Sequence, residues 1–158
     1  MWPNRNSVFR NVGSGEFEDV SMTAGPNFIA ALRAHRGCAF ADFDNDGRID
    51  VVTSSLGNTP EVWRNATATA NRWLILKLRG WKSNRDGIGA TVRIGDQTNH
   101  MTSSVGYASS SHFGVHFGMG QRKVLDLIEV RWPGGIHQKL RDVATNQVLL
   151  IEEPKVSQ

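Results

Sequence analysis

Turn-forming residues punctuate this chain so densely that little room is left for helix. Its 16 glycines, together with asparagine, aspartate and serine, break the apolar residues into short runs about every ten positions. Several runs alternate or carry β-branched and aromatic residues: Trp73 to Arg79, Ala90 to Ile94, Val124 to Trp132 and Gln147 to Ile151. Such residues suit a pleated, half-buried surface. Only Phe28 to His35 has a helical look. The expectation is an all-β chain with one helical turn.

An internal echo refines this. Val8-Phe9-Arg10-Asn11 returns as Val62-Trp63-Arg64-Asn65, 54 residues later. That spacing is close to one four-stranded blade of a β-propeller. On this reading the chain holds the end of one blade and most of the next. The small, polar stretch Asn65 to Asn71 then marks a boundary. Charge changes across it: residues 1–70 carry six basic against eight acidic side chains, and residues 71–158 carry twelve against seven. The net charge of +3 comes from the second part.

Against that basic balance, the stretch Asp42-Phe43-Asp44-Asn45-Asp46-Gly47-Arg48-Ile49-Asp50 crowds four carboxylates into nine residues. Asp42, Asp44, Asp46 and Asp50 occupy loop positions 1, 3, 5 and 9, with Gly47 at position 6. Oxygens on alternate residues around a glycine bend can converge on a hard cation, and the Arg48 carbonyl is the natural backbone ligand. A flexible shell of six to eight oxygens suits Ca²⁺ better than Mg²⁺. Without a cation, two carboxylates about 5 Å apart repel by roughly 3 kcal/mol at an effective dielectric of 20. Such crowding is expected to open the turn or raise carboxyl pKa values. The loop is not an EF-hand, because Thr53 stands where that motif needs a bidentate glutamate, and the flanks favour strands over helices.

Other classes of function find little support. His112 and His116 are the best catalytic candidates. On a strand, residues four apart lie about 13 Å apart, too far to share one zinc. Ser109, Ser110 and Ser111 lack the glycine frame of a nucleophile elbow, and Asp126 and Glu129 fall on opposite faces of one strand. The basic residues are not clustered, which argues against nucleic acid. No apolar run approaches the 18–20 residues or so of a membrane span. Cys38 is read as a small packed side chain. Asn65-Ala66-Thr67 is a glycosylation sequon.

With these residues in view, Phe40 to Val52 resembles the FG-GAP/VCBS repeat of integrin-like β-propellers, and Ser7 to Val20 resembles the hairpin that ends such a repeat. The second part resembles the ASPIC and UnbV domain of cartilage acidic protein-like proteins. That likeness rests on Asn71-Arg72-Trp73-Leu74, Ser83 to Ala90, His116-Phe117-Gly118-Met119-Gly120 and Val130-Arg131-Trp132-Pro133-Gly134-Gly135. Gly134 stands where the family pattern usually has serine. Locally, Asp86 to Gly89 reads as a turn between consecutive strands, and Trp132 to Gly135 as a turn into Ile136–Leu140. The implied organisation is a propeller segment with a calcium loop over residues 1–68, a small β-sandwich-like domain over 69–153, and a tail, 154–158.

The resemblance implies a secreted, calcium-stabilised binding or adhesion module without catalysis, acting on protein or glycan at a cell surface or matrix. A secretory leader is not recognisable at Met1-Trp2-Pro3-Asn4 and would lie outside this sequence. The alternative is a carbohydrate-binding accessory domain of a secreted enzyme, with Trp2, Trp81 and Tyr107 as stacking platforms, although core packing uses the same residue types. Unpaired strand edges in an incomplete propeller also invite pairing with another copy, as a homo-oligomer, or with the missing blades.

Overall fold

The fold is that of a computed structural model, which describes residues 3–111 and 114–155. It is all-β, with several sheets. The chain opens with a hairpin of β1 (Phe9–Gly13) and β2 (Glu16–Asp19). A 3₁₀ turn, Ser21–Thr23, and a single five-residue helix, α1 (Pro26–Ala30), follow. The helix is shorter and earlier than Phe28 to His35. Pro26 pre-sets its first turn, the backbone is already extended at Ala31, and His35 begins a strand paired with Ser55.

That strand, β3 (His35–Ala41), lies beside β4 (Asp50–Ser55), which pairs in turn with β5 (Glu61–Trp63). All pairings in this sheet are antiparallel. The second half forms two larger sheets and a separate two-stranded pair. One has β6 (Arg72–Arg79) between β9 (Val115–Gly120) and β14 (Gln147–Glu152), with β14 parallel to β6. The other runs β12 (His137–Leu140), β11 (Ile128–Arg131), β7 (Thr91–Ile94), β8 (Gln97–His100), all antiparallel. Alternation sends Leu74, Leu76 and Leu78 of β6, Val92 and Ile94 of β7, Phe117 of β9 and Val130 of β11 into one core between these sheets. Trp132 is buried there too, its indole N–H donating to Gln138 Oε1 at 2.9 Å.

One local reading changes. Val124 to Trp132 is not one strand: it breaks at Asp126-Leu127 into β10 (Val124–Leu125), paired with β13 (Val143–Ala144), and β11. Asp126 and Glu129 therefore do not share a strand. The Asp86–Gly89 segment is the expected turn between β6 and β7, with positive φ at Gly87 (68°) and Gly89 (88°), and the two strands it joins belong to different sheets. It crosses between them, with Gly87 so close to Leu78 that a Cβ would lie 2.4 Å from that residue's Cβ. The turn after Trp132 does form the β11–β12 hairpin, with Arg131 opposite His137.

The two halves touch through backbone donors of β3, an edge strand. Cys38 N–H donates to Ser109 Oγ at 2.9 Å and Phe40 N–H to Ser111 Oγ at 3.1 Å. The serine run thus occupies an edge that would otherwise present free donors. Removing one hydroxyl, as in Ser109→Ala, is expected to destabilise the chain by about 1 kcal/mol, with faster hydrogen exchange at the Cys38 amide as the readout. The Cys38 thiol is half-buried, and burial pushes its pKa up, which keeps it unreactive.

A second tie closes the far end of the sandwich. Glu153, directly after β14, is only 4% exposed. Its Oε2 accepts N–H groups of Trp81 (2.7 Å), Lys82 (2.8 Å) and Ser83 (2.7 Å), and its Oε1 accepts the Ser83 hydroxyl at 2.8 Å. Ser83 Oγ accepts in turn from Gly134 N–H at 2.9 Å. A Cβ at Gly134 would sit 3.1 Å from Glu153 Oε1, which leaves little room for the serine of the family pattern.

Candidate metal centre

The acidic loop is the connection between β3 and β4, whose register pairs Ala41 with Asp50. Positive φ at Asn45 (58°) and Gly47 (86°) bends the chain back on itself. The bend is held by carboxylates receiving backbone N–H groups. Asp42 Oδ1 accepts from Asp46 at 3.0 Å and its Oδ2 from Gly47 at 2.8 Å. Asp50, 2% exposed, accepts from Phe43 at 3.0 Å and from Asn65, just beyond β5, at 2.7 Å.

One carboxylate oxygen each from Asp42, Asp44 and Asp50 lies within 4.8 Å of the other two. Oxygens about 2.3–2.6 Å from a shared Ca²⁺ are at most about 5 Å apart, so these three side chains fit a common hard cation. Asp46 stands outside the trio. Its Oδ1 accepts from Arg48 N–H at 2.8 Å, while its Oδ2 pairs with the Arg48 guanidinium and lies 3.7 Å from Arg64. The Arg48 carbonyl makes no hydrogen bond among the described residues.

Crowding does not raise the Asp44 pKa, contrary to expectation. Arg64 Nε donates to Asp44 Oδ2 at 2.7 Å, and this bond holds the carboxyl below its ordinary range against the opposing effect of burial. The guanidinium of Arg64 is in turn made harder to deprotonate. The negative charge of the loop is thus partly balanced by Arg48, Arg64 and backbone dipoles.

The loop is also a contact between the halves. His116 Nε2–H donates to the Gly47 carbonyl at 3.0 Å, which fixes the ring tautomer. Trp73 of β6 packs flat against Gly47: a Cβ there would lie 1.9 Å from the indole nitrogen. His116 therefore has a structural partner, while His112 lies outside the described residues, as does Trp2. Asn65 Nδ2 donates to the Ile49 carbonyl at 3.2 Å, so the sequon asparagine helps to close the loop. Trp81 (68% exposed) and Tyr107 (78%) are on the surface and not in the core. Lys155 lies 4.0 Å over the Trp81 ring.

Spacing alone did not reveal Arg64, Trp73 or His116. Arg64 could have been flagged, because it is the arginine of the repeated Val-aromatic-Arg-Asn strand. Trp73 and His116 stand out as members of the second part's motifs, but they meet the loop across the boundary between halves, a contact that local spacing does not report.

A hairpin and a three-stranded sheet closed by an acidic loop, followed by a two-sheet β unit, define a propeller-repeat segment with an appended β domain. The comparisons agree. The FG-GAP-like repeat profile matches residues 3–53, and the ASPIC and UnbV profile matches residues 80–158, half of the chain. The chain belongs to the ASPIC and UnbV family. Cartilage acidic protein 1 of Xenopus tropicalis is 28% identical to it over 163 residues, an alignment covering 96% of this chain and 25% of that protein. The chain thus spans about a quarter of the length of that curated relative. Among the described residues, no helix is long and apolar enough to cross a membrane.

Proposed function

We propose that this chain is a calcium-stabilised, non-catalytic extracellular binding module that presents its surface to a protein partner. The observation that carries the reading is the convergence of Asp42, Asp44 and Asp50 within 4.8 Å at the junction of β3, β4 and the second half. These three would hold the ion, with Asp46 and the Arg48 carbonyl as further ligands. Its chemistry there is electrostatic: it neutralises carboxylates that arginines now balance only in part. The propeller segment is taken as residues 1–68, the β domain as 69–153 and the tail as 154–158. The extracellular setting and the adhesive role rest on the matched families and on the name of the relative.

Thermal unfolding tests the reading. An ion at a hundredfold excess over its Kd adds about 2.7 kcal/mol to stability, which is about 5–10 °C in Tm for a domain of this size. The expected result is a melt raised by that amount in Ca²⁺ over chelator, with Mg²⁺ less effective. Identical melts in all three conditions would remove calcium from the account.

A glycan-binding reading draws on the exposed rings of Trp81 and Tyr107. Saturable sugar binding lost in Tyr107→Ala would favour it over a protein partner.

A further inference from the structure

We infer that a small cleft in the second half binds a carboxylate presented by a short segment of a protein partner, with an aliphatic side chain beside it. The cleft, of about 370 Å³, opens where the end of β7 meets β10 and the start of β11. Every residue lining it falls between positions 93 and 129, inside the ASPIC and UnbV match. The first half reaches Trp73 of β6, His116 of β9 and the serine run, none of which lines the cleft. The lining therefore belongs wholly to the β domain.

Two arginines converge there on one glycine turn. Arg93 Nε donates to the Gly95 carbonyl at 3.0 Å. Arg122 Nε donates to the Met119 carbonyl at 3.4 Å, and a Cβ built on Gly95 would lie 3.8 Å from Arg122 Nη1. Anchoring through Nε orients each planar fork and leaves its terminal N–H groups for a ligand. Among the described residues neither guanidinium has an acidic partner. Two like charges thus share the turn uncompensated, and an oxyanion between them relieves their repulsion. A carboxylate suits this geometry, because its two oxygens accept paired N–H groups.

The rest of the lining sets the ligand's other features. Glu129 is already paired with Lys139 at 3.2 Å, whereas the Asp126 side chain has no partner among the described residues. Two positive charges against one open negative charge leave a balance of one, which suits a monoanion over a dianion. Asp126 also calls for a donor close to that anion, and the peptide N–H next to a carboxylate supplies one. Val124, 52% exposed, and Leu127 offer aliphatic contact, and among the described residues no aromatic ring lines the cleft for a sugar to stack on. The volume is at the small end of ligand clefts, so it takes a residue or two of a partner and not a folded surface. The inference rests on the protein-partner reading and does not depend on the ion.

The test is a titration of the whole, nitrogen-labelled chain, followed amide by amide by NMR. The probes are acetyl-Gly-Leu with a free terminal carboxylate, the same dipeptide as its terminal amide, and acetyl-Leu-Glu-amide, whose carboxylate is on a side chain. Saturable shifts are expected with the acids at the amides of Gly95, Arg122 and Asp126, with binding about tenfold weaker for the uncharged amide. The tighter of the two acids tells whether a chain terminus or a side chain supplies the group. Arg93→Gln and Arg122→Gln should each weaken the acids about fivefold without moving the melt. Arg85→Gln, an exposed arginine outside the cleft, should change nothing. Four results would overturn the inference: no saturable shift, equal binding of acid and amide, shifts centred on other residues, or inorganic sulfate outcompeting both acids. None of them bears on the calcium-dependent melt or on sugar binding at Tyr107, so the cleft can fail while the wider reading stands.

Discussion

Gly47→Ala is expected to destabilise the chain by about 3 kcal/mol and to weaken calcium binding with it. Two effects combine. The residue has φ +86°, where an L side chain costs about 1–2 kcal/mol. Its Cβ would also fall 1.9 Å from Trp73 Nε1 and 2.1 Å from Cδ1 and Cε2 of the same ring. Trp73 is half-buried in β6 and cannot swing clear without leaving its place, so overpacking adds about 1–3 kcal/mol. Chemical denaturation of Gly47→Ala, Trp73→Ala and the double variant checks both parts. The double variant should recover the overlap component and keep the backbone strain, giving strong non-additivity. Purely additive losses would show that Gly47 and Trp73 do not meet.

The second large effect is at Glu153. Its carboxylate accepts three N–H groups and one hydroxyl from residues 81–83 in a nearly solvent-free position. In Glu153→Ala those donors lose their partner, and a loss of about 3–5 kcal/mol is expected. The same contacts predict a pH dependence. Burial by itself would raise this carboxyl, but the hydrogen bonds from Ser83, Trp81 and Lys82 outweigh it and hold the pKa below the ordinary 4.5. A depressed folded value means the stabilisation is fully present above about pH 4.5. It is lost as pH falls through the lower, folded value, because the unfolded chain binds the proton first. Acid unfolding of the parent chain and of Glu153→Gln should therefore diverge above pH 4.5 and converge below it. A constant difference down to pH 2 would contradict this assignment.

These two sites show what could be read from sequence and what could not. The acidic loop was legible because its ligand spacing is local: Asp42, Asp44 and Asp50 lie within nine residues and share one bend. The hairpin at Trp132–Gly135 and the alternating β6 were legible for the same reason. Position 46 fits the spacing equally well, but its carboxylate here pairs with the Arg48 guanidinium and lies 3.7 Å from Arg64, so it would reach the ion by exchanging those partners, which a ligand pattern does not report. Glu153 lies 70 residues from Ser83, and Gly47 lies 69 residues from His116. Contacts at that separation follow from how the sheets pack, which local patterning does not encode. The break of Val124–Trp132 into β10 and β11 was hidden because apolar alternation continues through it, although the two parts pair with different strands. Trp81 and Tyr107 illustrate the converse, aromatic residues in a β domain that the packing leaves outside the core.

The account depends most on an ion shared by three aspartates, and calorimetric titration of the chain with Ca²⁺ addresses that directly. One ion per chain is predicted for the parent, with the heat abolished in Asp42→Asn and in Asp44→Asn while both variants still unfold cooperatively. No binding heat in the parent under any buffer tested, or undiminished binding in both variants, would contradict it.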